Sequence, residues 1–435
     1  MTGWPKPSPH AASTDALPPQ PAVGRVKVLH VITRFWAGAG GNTLVSAAGM
    51  DSDRYEVWIA GCPGGPLWAE AEEAGIRTVQ VKGFKEVISP VDDLAVLARL
   101  VRLIRSERFT VVHTHSSKGG FLGRIAARLC GVPVVVHTVH GFSFHDFMSP
   151  LRRRSYLALE RSLRFSTDAF LAVSPRVAVE AVEARLARPG QIAVAPSAVE
   201  LDQVPFSSDP ATRFEIGVPP GVPLIGTVGR IDHQKAPLDF VRMAALVARR
   251  RPDARFVMVG DGPLMREVGD EASRLGVDVI LTGHRPDASR LSAGFDVFVI
   301  SSLYEGLGRA LTEALASARP VAATAVNGVP DLVVPGTTGL LAPPRDPERL
   351  ADCVAWLLDH PEEGRRMGEA GRDAVRALFA PTAMCRLIDQ TYARLLGVPV
   401  PTANEADSTT EDDVAPKVAT AEPSLIGSPR RSGGA

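Results

Sequence analysis

Cysteine is scarce. The 435 residues hold four, at positions 62, 130, 353 and 385, with no paired spacing. That excludes a disulfide framework and leads us to expect reduced thiols, as in a cytosolic protein. An excess of one charge is missing too: 48 Lys and Arg stand against 48 Asp and Glu, for a formal net charge of zero. A balanced chain argues against a general nucleic-acid binder, although a local basic patch stays open. No run approaches the roughly 18 apolar residues of a spanning helix. The opening stretch, residues 1–24, is rich in Pro and Ala and lacks an apolar core segment, so no signal peptide is expected. What remains is ordinary soluble composition, 45% hydrophobic and 22% charged, in a chain long enough for two or three domains at about 150 residues each. Cores of that size form without disulfides or metals.

Short apolar runs alternate with helical patterns. Residues 26–32, 55–60, 109–115, 133–139 and 168–173 read as buried strands, being β-branched and apolar on both faces. A helix is predicted between the second and third, with Leu94, Leu97, Val101 and Ile104 on its inner face. Ser89 would be its cap and Pro90 its first residue, and Asp92 and Asp93 would complement its dipole. After a Pro-rich pause at 196–222 the pattern restarts, with strands at 224–229, 255–260, 277–283, 296–300 and 320–324. Repeated strand–helix–strand units mean parallel sheets with right-handed crossovers. The expected fold is α/β: two Rossmann-like parallel-sheet domains facing a cleft. Their bounds are 25–202 and 223–380, with a linker at 203–222 and a final helical segment at 381–398. The ends, 1–24 and 399–435, are expected to be disordered, because they hold too few apolar groups to offset the entropy of ordering.

Ligands of open α/β sheets sit beyond the carboxyl ends of the strands, and the chemically interesting residues follow strands. In the stretch 301–320, Glu305 and Glu313 stand seven residues apart around Gly306, Leu307 and Gly308. The glycines permit a tight turn, and a helix starting near Gly308 would aim free N–H groups at the cleft, a ready phosphate site. Glu305 could reach a ligand hydroxyl and Glu313 a vicinal diol such as a ribose; a plain solvated helix is the competing reading. Gly229, Arg230 and Lys235 follow another strand, where a guanidinium fork and an ammonium suit a diphosphate, unless they are ordinary surface cations. The stretch 226–230 lacks the third glycine of a dinucleotide fingerprint. The turn 260–263 (Gly-Asp-Gly-Pro) is a weak signal alone. In the first unit Gly38, Gly40 and Gly41 open a helix after the first strand.

Five histidines crowd one window: His113, His115, His137, His140 and His145. A zinc site is one reading of this spacing, but no carboxylate accompanies the first pair and a metal is not expected. A cleft histidine touching sugar or phosphate suits His140, with His113 hydrogen-bonded inside the sheet. Residues 146–166 form a last special segment. As a helix they gather Tyr156, Leu159 and Leu163 on one side and Arg153, Arg154, Arg161 and Arg164 on another. Such a helix could contact the inner face of a membrane or be an ordinary surface helix.

Together these motifs resemble glycosyltransferase family 4, retaining enzymes of the GT-B fold, across roughly residues 25–398. The second-unit series (Gly-Arg-Ile-x-x-x-Lys, Gly-Asp-Gly-Pro, Glu305-x7-Glu313, then 320–351) is dense and ordered. The first unit is similar to members that build lipid-linked or surface polysaccharides in bacteria. The resemblance implies a nucleotide-activated sugar, usually a UDP-sugar, as donor and a lipid-linked or glycan acceptor, with no cofactor and no nucleic acid. It implies that Arg230 and Lys235 bind the diphosphate, Glu305 contacts the donor sugar, Glu313 holds the ribose and His140 lies beside the transferred sugar. The backbone at Gly306, Leu307 and Gly308 would touch donor groups. Gly40 and Gly41 would face donor phosphate or acceptor, with His115 and Lys118 on the acceptor side. The segment from Pro381 would cross back onto the first domain. Three positions depart from the family pattern: Ala236 replaces the Gly after the motif Lys, Asn42 follows the Gly loop, and Ser197-Ala198 replaces an Asn-Gly turn. The expected place of action is the cytoplasm, peripheral to the inner membrane face. The alternatives are a UDP-sugar epimerase on the same fold and a non-catalytic sugar-nucleotide-binding subunit, with a metallohydrolase more distant.

Overall fold

The computed structural model describes residues 25–36, 38–199, 201, 204–206 and 210–399. The tails expected to be disordered lie outside it, apart from Pro399. Two sheets, every strand parallel, follow from the alternation in the sequence. The first contains β1 (Val26–Val31), β2 (Tyr55–Gly61), β3 (Arg77–Gln80), β4 (Val111–His115), β5 (Val134–Val139), β6 (Ala169–Ala172) and β7 (Ile192–Val194), in the order β3-β2-β1-β4-β5-β6-β7. The second contains β8 (Leu224–Val228), β9 (Arg255–Val259), β10 (Val279–Leu281), β11 (Val297–Ile300), β12 (Val321–Thr324) and β13 (Leu340–Ala342), in the order β10-β9-β8-β11-β12-β13. In each sheet the strand order reverses beside the first strand, between β1 and β4 and between β8 and β11. Crevices for ligands open at such switch points.

Both faces of the first sheet are covered, which explains its uninterrupted apolar strands. Leu29, Val31, Val112 and Val135 pack under the helices Pro90–Glu107 and Ser117–Leu129. Val28, Val111, Val134 and Val136 meet Met384, Ile388 and Tyr392 on the opposite face. Those last three belong to the helix Pro381–Leu396, which returns from the second sheet to the first. Arg54 clamps that helix by donating from Nη1 to both oxygens of Asp389, at 2.7 and 2.8 Å, and the Tyr55 hydroxyl adds a bond at 2.5 Å.

Three local expectations are corrected. The helix Pro90–Glu107 buries Val96, Leu100 and Ile104, while Leu94 is 67% exposed. The buried set has the i, i+4, i+8 spacing of a stripe rotated from the one expected, and Leu94 is left on its outer edge. Ser89 occupies the cap position, but its hydroxyl donates to Asp92 instead of accepting from the helix, and its backbone N–H is taken by Asp93. The helix Pro150–Ser162 holds no fully buried residue, and Leu159 is 46% exposed. Glu160 turns inward instead, because the wholly buried Arg124 draws it in at 2.9 Å. Between the sheets a short helix, Pro210–Glu215, occupies part of the expected linker. Among the described residues no helix is long and apolar enough to cross a membrane.

Candidate active site

The cleft edge of the second sheet is built by three loops. Gly229 and Ile231 take backbone bonds from or to the β9 side: Gly229 N–H reaches the Val259 carbonyl at 3.0 Å, and Ile231 N–H reaches that of Asp261 at 3.0 Å. A Cβ at Gly260 would collide with the Gly229 carbonyl, and one at Gly262 with that of Ile231. The Gly-Asp-Gly-Pro turn is therefore a buttress, fixing the loop that carries Arg230. Arg230 is 55% exposed on its side chain and pairs with Asp232 at 2.9 Å. It also lies 4.0 Å from Glu86 of the first domain, which Arg34 holds at 3.4 Å.

Lys235 and Glu305 form a close ion pair, and the Glu305 side chain is almost wholly buried. A second hydrogen bond to the same carboxylate oxygen comes from Ser302 at 2.7 Å. The Glu305 backbone N–H is taken by Asn327 Oδ1 at 2.9 Å. Asn327 has φ 39, a left-handed conformation that Asn tolerates, and its Nδ2 donates to Glu180 of the first domain at 2.8 Å. Burial pushes the Glu180 carboxyl up from its ordinary range, although the Asn327 bond opposes this. Gly306 is required where it stands, since a Cβ there would strike the carbonyl of His140. Leu307 turns its side chain into the core and offers only backbone to the site. Gly308, at φ 88, starts the helix Arg309–Ala316. Glu313, one turn into that helix, accepts from Arg309 Nε at 2.8 Å.

The first domain meets this edge with glycines and imidazoles. Gly40 packs against the backbone of Phe35, and the guanidinium of Arg309 occupies the space where a Cβ of Gly41 would lie. The first turns of the helices after β1 and β11 therefore touch across the cleft. The Tyr304 ring stacks on His145 at 4.0 Å between centroids. His140, just past β5, is partly exposed, and its Nε2 lies 3.0 Å from His115 Nδ1.

Two residues expected on the acceptor side are placed differently. His115 is buried in the sheet, because the β4 alternation points it to the covered face, and it reaches the cleft only through His140. Lys118 Nζ sits 2.5 Å from Asp93 and donates to the Val87 carbonyl at 2.6 Å, so it fastens the loop before the helix Pro90–Glu107. The histidine window divides between the faces of the sheet. His113 bonds Tyr392 at 2.6 Å and Thr138 at 2.7 Å, as a sheet-bound histidine should. His137 bonds Thr114 at 2.9 Å on the other face. His30, His113 and His115 have nitrogen atoms within 4.8 Å of one another, the nearest approach to a metal-ligand group among the described residues.

Sequence reasoning assigned no role to Arg309, Asn327, Ser302, Gln234, Glu180, His30 or Tyr392. Arg309 and Asn327 stand inside the motifs already quoted, and an arginine four residues before Glu313 was the available signal. Ser302, three residues before Glu305, and Gln234, whose Nε2 lies 3.5 Å from the Glu305 carboxylate, also stand inside those motifs; Glu180, His30 and Tyr392 act from elements distant in sequence.

A model for group 1 glycosyl transferases matches residues 222–360, and one for a glycosyl transferase 4-like domain matches residues 22–198. The alpha-D-kanosaminyltransferase of Streptomyces kanamyceticus is 31% identical over 295 residues, 64% of this chain and 76% of its own. The chain belongs to glycosyltransferase family 4. An Escherichia coli member of this group, UDP-Gal:alpha-D-GlcNAc-diphosphoundecaprenol alpha-1,3-galactosyltransferase, is 29% identical over 343 residues, 77% of this chain and 88% of its own. Among solved structures, Anabaena HepE in complex with UDP and glucose superposes with TM-score 0.72 at 19% identity, over 85% of this chain and all of that one. The two parallel sheets are those of the GT-B fold. The chain is thus a hexosyltransferase-type enzyme, and a nucleotide sugar is its donor. In this glycosyltransferase the two switch-point loops of each sheet face one another, and every charged donor-site candidate lies on the second-domain side.

Proposed function

We propose that this glycosyltransferase moves a hexose, with retention, from a UDP-sugar to a lipid-linked or polysaccharide acceptor in bacterial surface-glycan synthesis. The observation that carries the reading is the set of Arg230, Lys235, the Gly308 helix start and Glu313 on one cleft edge, opposite His140. Breaking the bond to the nucleotide leaves a diphosphate, and fixed cations with free helix N–H groups stabilise that charge. The Glu305 carboxylate, held by Lys235 and Ser302, would orient the sugar, with Glu313 on the ribose. Arg309 would release Glu313 on donor binding. The first-domain carboxylates that pair across the cleft, Glu86 and Glu180, are tied to Arg34 and Asn327. Neither is a free nucleophile for double displacement, so front-face attack is favoured, the departing phosphate taking the acceptor proton. The reading uses no metal, and chelator-treated protein is expected to keep full turnover. The E. coli relative, whose name specifies an undecaprenol-diphosphate acceptor, supports the lipid-linked class. Action at the cytoplasmic face of the membrane is supported by exposed Leu151, Leu159 and Phe165 among the arginines of 150–165.

The test is a panel of UDP- and GDP-sugars, with and without membrane lipid extract, reading nucleoside diphosphate release. Release from one donor, raised by lipid and lost in Glu305→Ala and Arg230→Ala, is expected. Silence across the panel, with no donor raising the melting temperature, overturns the donor site. An isomeric sugar nucleotide formed without acceptor identifies the epimerase.

A further inference from the structure

The first sheet contains a connected row of histidines running from its interior to the cleft. His30 on β1 is in register with His113 on β4. His30 Nδ1 lies 2.9 Å from His115 Nε2, and His115 Nδ1 lies 3.0 Å from His140 Nε2. His30 is fully buried and His115 is 1% exposed. At the inner end His30 Nε2 is buried without a hydrogen-bond partner. His113 stands beside the row and uses both nitrogens elsewhere. It stacks on His115 at 4.4 Å between centroids, which fixes that ring's plane.

A neutral imidazole has one N–H and one lone pair. Each nitrogen-to-nitrogen contact needs one proton, so both contacts must run the same way, and two arrangements exist. In the inward one, His30 Nε2 would carry an N–H with no acceptor in a dry core. In the outward one it carries only a lone pair. Orphaned buried N–H groups are the rarer and costlier defect. We propose that His30 and His115 are positioning residues that hold His140 with a bare Nε2 and an N–H at Nδ1, so that His140 offers a hydrogen-bond donor, not a base, to the ligand in the cleft. The ligand half of this rests on the proposed function; the tautomer does not. Burial favours neutral rings throughout, lowering His140 to about 4 and His30 to about 3. The titratable groups facing His140 are His115, His113 and His137 of its own sheet and Glu160 across the small pocket that His137, His140 and Glu160 line. Arg124 lies behind Glu160, and Glu305 stands next to the Gly306 contact. A metal is the rival occupant of the inner row. Against it, the His30 and His115 ring planes lie 11° apart, and nearly parallel rings do not aim their lone pairs at one point.

Long-range proton–nitrogen correlation spectra of the full chain at pH 7 decide this. Expected are a protonated Nδ1 and bare Nε2 at His140, and the same tautomer at His30 and His115. A His140 with protonated Nε2, or one exchanging between tautomers, overturns the proposal. So does uptake of one equivalent of zinc that shifts the His30 and His115 signals. In donor turnover, His115→Leu is expected to lower kcat/KM about tenfold. His115→Asn, which keeps an amide donor near Nδ1, restores most of it. His115→Leu added to His140→Gln costs nothing further, whereas additive losses would mean a merely structural role. If the outward tautomer is found but no variant or wild type turns over any donor, the functional reading fails while the polarity stands.

Discussion

The two edges of the cleft are made by the same device, loops leaving a parallel sheet at its switch point, yet they carry opposite chemistry. On the second-domain edge the side chains are ions held in pairs: Lys235 with Glu305, Arg230 with Asp232, Arg309 with Glu313. On the first-domain edge Glu86 and Glu180 reach across to the second domain, but the groups around His140 are glycines and neutral imidazoles in one hydrogen-bonded row. A diphosphate brings charge, and preset cations meet it without reorganisation. A sugar and its acceptor hydroxyl bring none, and close backbone with uncharged donors suits them.

The widest test of that contrast is acid. Burial lowers the pKa of His30, His113, His115, His137 and His140, all in the first domain. Each stays neutral in the folded protein but takes a proton near pH 6.5 once unfolded. Their contribution is complete above about pH 6.5 and is lost as the pH falls from there toward 4. Between pH 7.5 and 5.5 the unfolded state gains about 1.4 kcal/mol for each, on the order of 7 kcal/mol for the five. The second domain's arginine-bound carboxylates also lose their contribution in acid, but in a lower pH window. Hydrogen bonds from Arg274, then Arg242, hold Glu271 down to about 2, and Arg285 lowers Asp287, so their contributions fade only below the ordinary carboxylate range. Segment-resolved hydrogen exchange at pH 7.5 and 5.5 is expected to show the first sheet losing protection while β8 and β9 keep theirs. Equal loss in both would erase the distinction.

Within the charged edge, Arg230 and Lys235 separate ligand binding from architecture. Arg230→Ala removes an exposed cation and is expected to lower turnover about 10²-fold with little change in melting temperature. Lys235→Ala is expected to cost 10²–10³-fold in turnover, and stability as well, on the order of 3 kcal/mol, since it strands the buried Glu305 carboxylate. If both variants melt alike, the Lys235–Glu305 pair is not a structural element of the empty site. Asn327 joins the two edges, bonding Glu305 backbone and Glu180 side chain. Asn327→Ala is expected to lower kcat/KM about tenfold. Glu180→Gln should lower it less, and the double variant no more than Asn327→Ala alone. Additive losses would show that the two residues act separately.

Sequence pattern located ten of the thirteen strands among the described residues and the second-domain ions, because long buried runs and ordered motifs are local signals. The three missed strands, β3, β7 and β13, are three or four residues long and only partly buried, so no apolar run announces them. The charged candidates were legible because glycine turns and cations cluster within a few residues. The histidine row was not, since His30 and His115 lie 85 positions apart and meet only through strand register. For the same reason His115 was expected in the open cleft: spacing along β4 gives the face but not what covers it. Tyr392, which occupies that cover, comes from a helix nearly 280 residues later.

The smallest effect is expected where the helical phase was misjudged. Leu94 and Leu100 lie on the same helix, and the sequence alone favours Leu94 as core. In the structure Leu94 is 67% exposed near the likewise exposed Val87, Ile88 and Val91, while Leu100 is fully buried against Leu29 and Val112 in the first core. Leu100→Ala removes buried methylenes and leaves a cavity, at a cost of about 2–5 kcal/mol. Leu94→Ala removes atoms already in water, so its effect on chemical denaturation should stay within about 0.5 kcal/mol. The pair is informative because propensity and chain position are nearly matched, and burial is what differs. A loss above about 1 kcal/mol for Leu94→Ala would mean that the exposed apolar strip at 87–94 is covered in solution.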